Sequence, residues 1–160
     1  MPLYKIYTVG HSDHELVDFL AILSSHGIEA VADVRRAPYS RYVPQFNKRA
    51  LRTALAEAGI EYFYFGEELG GLPKSDMARA DAMKRLEEIR LRPGFGEAIE
   101  EILKLAGKRR TAVMCAEEDP GKCHRGLVLT PELQRRGARV LHIRADGRLD
   151  EAGNQIGLFG

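Results

Sequence analysis

Short apolar runs alternate with stretches in which apolar residues recur every three or four positions, and the alternation persists along the chain. Tyr4–Val9 is the first run and reads as a strand. After it, Leu16, Phe19, Leu20 and Leu23 share one face of a helix across 13–26. Ser12 and Glu15 have the spacing of a capping box, and Gly27 suits the helix stop. Glu29–Val34 predicts a second strand. Pro38 and Pro44 keep 35–46 out of helix, and Asn47 is placed to cap a helix reaching Ala58. Ile60–Phe65 predicts a third strand. Met77–Leu91 follows as a helix with Met83, Leu86 and Ile89 inward, and Pro93 separates it from another carrying Phe95, Ile99, Ile102 and Leu103. Thr111–Ala116 and Arg139–Ile143 predict strands four and five. The helix between them, His124 to Arg136, contains Pro131, which should kink it or restart it with Thr130 as cap.

Alternation of this kind requires crossover connections. It predicts an α/β fold: one domain over 1–145 with a mainly parallel five-stranded sheet and helices on both faces. A Gly-rich tail over 146–160 follows. With 160 residues, 44% of them hydrophobic, the chain can build one sizeable core. No run of 18 apolar residues is present, so no membrane span is expected. The strand-like start lacks a basic-then-apolar leader, which makes a cytoplasmic location the default expectation. Two cysteines, Cys115 and Cys123, read as thiols, thiolates or metal ligands rather than as a disulfide framework. The net charge of +1 means that any nucleic-acid binding must rest on local charge.

In open parallel sheets, ligands bind beyond the carboxyl ends of the strands. Those ends carry His11 and Ser12, then Asp33 and Arg35, then Glu68 with Gly70, then Cys115 and Glu117. The segment Cys115-Ala-Glu-Glu-Asp-Pro-Gly-Lys-Cys-His-Arg125 is the sharpest local feature. A strand, a turn and a helix start leave N–H groups free for an anion, and Arg125 can add a bidentate grip. Cys123 at a helix start tends toward thiolate, whereas Cys115 reads as a core cysteine. The acidic loop between them argues against a thiol-phosphatase loop closed from Cys115 to Arg125. Two metal readings stay open. Cys115, Glu117, Cys123, His124 and His11 include zinc-type ligands, and Asp33, Glu68 and Glu117 could hold Mg²⁺. The competing reading ties the same carboxylates to Arg35, Arg41 and Arg125 in a fixed charge network. A second feature is basic: 34–56 holds Arg35, Arg36, Arg41, Lys48, Arg49 and Arg52, no acid, and interleaved Tyr39, Tyr42 and Phe46. That composition suits a phosphate backbone with stacked bases.

Several of these segments together resemble an uncharacterised bacterial and archaeal family, domain of unknown function 488. The matching residues are Thr8-Val9-Gly10-His11-Ser12, Asp33-Val34-Arg35 with Pro38, Ser40-Arg41, Pro44-Gln45-Phe46, Gly59-Ile60-Glu61-Tyr62, Glu68-Leu69-Gly70-Gly71, Met114-Cys115-Ala116-Glu117 and Cys123-His124-Arg125. The resemblance implies no reaction. On the residues alone, the leading expectation is an enzyme-like site that hydrolyses a phosphate-bearing ligand, a nucleotide or nucleic acid. In it His11, Asp33, Glu117, Cys123 and His124 supply chemistry or hold a divalent metal. Ser12, Arg35, Arg41, Glu68, Gly70 and Arg125 bind the ligand. The alternatives are a non-catalytic nucleic-acid-binding module and a thiol or metal sensor.

Overall fold

The computed structural model describes residues 4–71, 84 and 86–153. Strands β1 (Tyr4–Gly10), β2 (Ala30–Asp33), β3 (Glu61–Tyr64), β4 (Thr111–Cys115), β5 (Ala138–Ile143) and β6 (Leu149–Glu151) form a single sheet, ordered β3-β2-β4-β1-β5-β6. The first five are parallel, and β6 pairs antiparallel with β5. Helices α1 (Leu16–Ser25), α2 (Lys48–Glu57), α3 (Gly66–Leu69), α4 (Phe95–Lys108) and α5 (Thr130–Arg135) connect them.

Right-handed crossovers decide which face each helix covers. The connections β1 to β2 and β2 to β3 run one way across the sheet and put α1 and α2 on one face. There Phe19, Leu23, Leu51 and Leu55 pack on Tyr7, Val9, Val31 and Met114. The connections β3 to β4 and β4 to β5 run the other way. They bury Phe95, Ile99, Ile102 and Leu133 against Ile6, Ala32, Val113 and Val140. Each such side chain, fully buried, is worth about 1.5–3 kcal/mol of apolar transfer. Strands β1 and β4 are neighbours, with Gly10 opposite Cys115, yet their chains leave toward opposite faces. Such a switch point, where α/β sheets open for ligands, therefore lies between them, and another lies between β4 and its other neighbour β2.

Four expectations change. The sheet has six strands rather than five, because Leu149–Glu151, within the expected tail, adds an antiparallel edge. The capping box at Ser12 and Glu15 does not form: Ser12 takes a left-handed φ of 47°, its N–H donates to the Ala116 carbonyl, and α1 begins only at Leu16. The Asn47 side chain accepts the Ser40 N–H instead of capping α2. The α-helix restarts over Thr130–Arg135 with Pro131 in its first turn, but Thr130 does not cap it. The segment ahead of it is a π turn over Arg125–Leu129, and the Thr130 hydroxyl donates to the Arg125 carbonyl. Proline lacks the N–H for the preceding turn and its ring crowds the carbonyl four residues back, and a wider turn relieves that crowding. The expected helix over 77–91 lies mostly outside the described residues, although 86–89 are helical with Ile89 buried.

Candidate functional site

Two polar clusters form at the carboxyl edge of the sheet. The first joins β1, β2 and β3. Alternation along an extended chain points Asp33 and Arg35 to the same side, so the arginine folds back on the carboxylate. Asp33 Oδ1 accepts from the Arg35 N–H and Nε at 3.0 Å each, and Oδ2 accepts from Arg35 Nη2 at 2.9 Å and from the Tyr62 hydroxyl. Arg35 Nη1 donates to the Phe46 carbonyl at 2.7 Å and toward His11 Nε2 at 3.3 Å. His11 Nδ1 donates to the Ser12 carbonyl, which leaves Nε2 as the acceptor and fixes the neutral tautomer. Its ring stacks on Phe46 at 4.5 Å between centroids. Burial, reinforced by the Arg35 charge, pushes the imidazole down to about 4. Burial and the adjacent Asp33 charge push the Tyr62 phenol up. Every strong donor and acceptor here has a partner, so the cluster acts as a brace between strand ends.

The second cluster lies on the other face, under the chain from Ala116 to Gly126. Cys115, 2% exposed at the end of β4, places its sulfur 3.3 Å from that of Cys123. The two thiols are driven apart in acidity. The bond to Cys123 and burial push Cys115 up. The bond from Cys115, the Arg125 charge and the Gly126 and Arg125 N–H groups bring Cys123 down to about 6, against its own burial. Arg125 is 0% exposed, the largest side chain among the described residues to be wholly removed from water. Its Nη2 donates to the Glu118 carbonyl at 3.0 Å, but Nε and Nη1 have no partner among the described residues, and no carboxylate pairs with it there. Glu118 turns instead to Arg144, accepting at 2.8 and 3.1 Å, and Asp119 accepts the Gly121 N–H. The acidic side chains 118 and 119 are thus committed away from the guanidinium.

Glycines let these segments touch. A Cβ on Gly10 would sit 1.8 Å from the Glu117 carbonyl oxygen, and one on Gly126 1.8 Å from that of Pro120. The loop is therefore drawn down over β1 and over the helix start. Beneath it, Thr8 and His142 are register partners on β1 and β5, with Thr8 Oγ1 2.6 Å from His142 Nδ1. Burial and the Arg125 charge hold His142 at about 4. His124 Nε2 donates to the Val34 carbonyl at 3.2 Å, and burial brings its ring to about 4.

Of the residues expected from sequence, His11, Asp33 and Arg35 meet in the first cluster, and Cys123 and Arg125, with Cys115, in the second. His124 lies against the end of β2. Glu117 contributes its carbonyl, which accepts from the Cys115 thiol at 3.4 Å. Ser12 holds the loop by its backbone. Gly70 lets the chain pass Arg36, where a Cβ would lie 2.7 Å from that residue's Cα, and Glu68 lies beside Gly94. Arg41 stands on an exposed loop with its guanidinium 5.2 Å from the Tyr42 ring centre. Among the described residues, no three His, Cys, Asp or Glu side chains converge as a metal site. His142 and Arg144 belong to the second cluster and were not singled out from sequence, and Thr8 and Tyr62 entered only within the segments that resemble the family. Only strand alternation, which sets His142 on the Val140 side of β5, could have indicated one of them. No helix among the described residues is long and apolar enough to cross a membrane.

The chain belongs to the family described as domain of unknown function DUF488, whose model matches residues 15–130. No curated protein and no solved structure matches it.

Proposed function

Taking membership of that family as the premise, we propose that this chain is an enzyme whose site is the second cluster and whose substrate carries a phosphate. One observation carries the reading: a fully buried Arg125 whose Nε and Nη1 have no partner among the described residues, beside the Cys123 thiol, whose pKa the bond from Cys115 and the Arg125 charge bring down. Buried guanidinium nitrogens without partners are costly, and a fold that keeps them has a use for their hydrogen-bonding capacity. Once Nη2 is released from the Glu118 carbonyl, an oxyanion on Nη2 together with Nε or Nη1 would engage the guanidinium in the bidentate geometry that arginine favours. The Cys123 thiolate would then attack phosphorus as the bond to the leaving oxygen breaks. That oxygen takes a proton from water, and a second water hydrolyses the thiophosphoryl intermediate. Entry requires the 116–122 loop to lift from Arg125, and the Glu118–Arg144 pair is its clasp.

The test is thermal unfolding under reducing conditions with and without inorganic phosphate, for the wild type and Arg125→Lys. Phosphate at ten times its Kd should stabilise the wild type by about 1.4 kcal/mol. The lysine keeps the charge but not the planar fork, so it should lose that response. An equal response in both proteins sinks the proposal. A second reading, a nucleic-acid surface, is favoured by Tyr39 and Tyr42, 68% and 80% exposed in the acid-free basic segment. It predicts binding of single-stranded oligonucleotides that weakens steeply with salt, and a salt-insensitive or absent interaction removes it.

A further inference from the structure

We propose that Cys115 and Cys123 form a dithiol–disulfide exchange centre for low-molecular-weight disulfides, with Cys123 attacking and Cys115 resolving. This goes beyond phosphate binding and needs no phosphate. The geometry is that of a pair rather than of two separate thiols. Their sulfurs lie 3.3 Å apart, across a connection that Gly10 and Gly126 let fold tightly over β1 and the helix start. The two sulfurs are unequal in the way exchange requires. Cys123 is half-buried, the more accessible of the two, while Cys115 is buried at the end of β4, with Cys123 and the Glu117 carbonyl as its polar partners among the described residues. Thiolate character follows the same order, with Cys123 brought down and Cys115 pushed up. A thiolate, not a thiol, attacks a disulfide sulfur.

The reaction balances with a disulfide RSSR as oxidant. The Cys123 thiolate forms an S–S bond to one sulfur and releases RS⁻. The Cys115 thiol gives its proton to that RS⁻, and its sulfur attacks Cys123 and expels the second RS⁻. The protein gives up two electrons and becomes an internal disulfide, and RSSR is reduced to RSH and RS⁻. The disulfide would remove the Cys123 thiolate beside Arg125, so any reaction that uses this thiolate stops on oxidation and returns on reduction.

The experiment uses the full chain, glutathione disulfide as probe, phosphate-free buffer near pH 7 and intact-mass detection with peptide mapping. The wild type should lose two hydrogens, carry a Cys115–Cys123 bond, and return to the dithiol with excess glutathione. Cys115→Ser should stop at one glutathione on Cys123, and Cys123→Ser should react at least tenfold more slowly. A wild type that halts at the mixed disulfide, or that forms no bond while the unfolded chain does, overturns the proposal. Equal reaction at Cys115 in Cys123→Ser does the same. The wild-type result stands even if a variant fails to fold. Because phosphate is absent here and reductant is present in the phosphate test, either proposal can fail without the other.

Discussion

Replacing Arg125 with methionine separates a ligand-binding arginine from a structural brace by the sign of the effect. Methionine fills much of the same volume without the charge. In the wild type two buried nitrogens, Nε and Nη1, lack partners among the described residues, each costing about 1–3 kcal/mol, so their removal returns about 2–6 kcal/mol. Against this stands the bond from Nη2 to the Glu118 carbonyl at 3.0 Å, worth about 1.5–3 kcal/mol as a charged hydrogen bond. The balance favours Arg125→Met by about 2 kcal/mol. For a domain of this size that raises Tm by about 4–8 °C. The comparison belongs in a Cys123→Ser background at pH 7, so that attraction between thiolate and guanidinium does not enter. Urea unfolding with a constant m-value gives the free energy directly. A partnered buried arginine would show the opposite, a loss of about 3–5 kcal/mol. Such a loss refutes the view that Arg125 is held in reserve for an anion.

Asp33→Asn should destabilise by about 3–5 kcal/mol, because it leaves the buried Arg35 charge without its carboxylate; a loss under about 1 kcal/mol in urea unfolding contradicts the brace. Gly10→Ala should displace the 116–118 segment, since its Cβ would lie 1.8 Å from the Glu117 oxygen, and faster alkylation of Cys115 reports it; unchanged labelling does not fit. His11, His124 and His142 are each held at about 4 when folded, below the ordinary 6.5, so the unfolded chain binds more protons between those values. Stability should therefore fall as pH drops through that window, by up to about 1.4 kcal/mol per pH unit for each histidine. His142→Gln should flatten the slope by up to one proton, and an unchanged slope means that His142 titrates freely.

The fold was legible where burial is uniform. Runs such as Val31-Ala32 and Ala112-Val113-Met114 are apolar because both faces of a parallel sheet are covered. The sixth strand was not legible, since Leu149-Asp150-Glu151 is a polar edge held by pairing to β5 rather than by its own apolar pattern. Ser12 misled because its place is set by a distant carbonyl, that of Ala116, which no local motif records. Arg125 stood out by its setting at a helix start, yet sequence alone could not say that its guanidinium would be buried with no carboxylate on it among the described residues while Arg35, equally prominent, would be consumed by Asp33. That difference depends on which carboxylates reach which arginines, and Glu118 is taken by Arg144 at the end of β5.

The central claim is that Arg125 and Cys123 take an oxyanion, and a crystal structure of the reduced protein grown in phosphate tests it most directly. The account predicts phosphate oxygens within hydrogen-bonding distance of Arg125 Nη2 and of Nε or Nη1, the Cys123 sulfur facing phosphorus, and the 116–122 loop lifted from the guanidinium. Phosphate found only on exposed groups such as Arg41 or Arg52, with Arg125 still sealed under the Glu118 carbonyl, would contradict it.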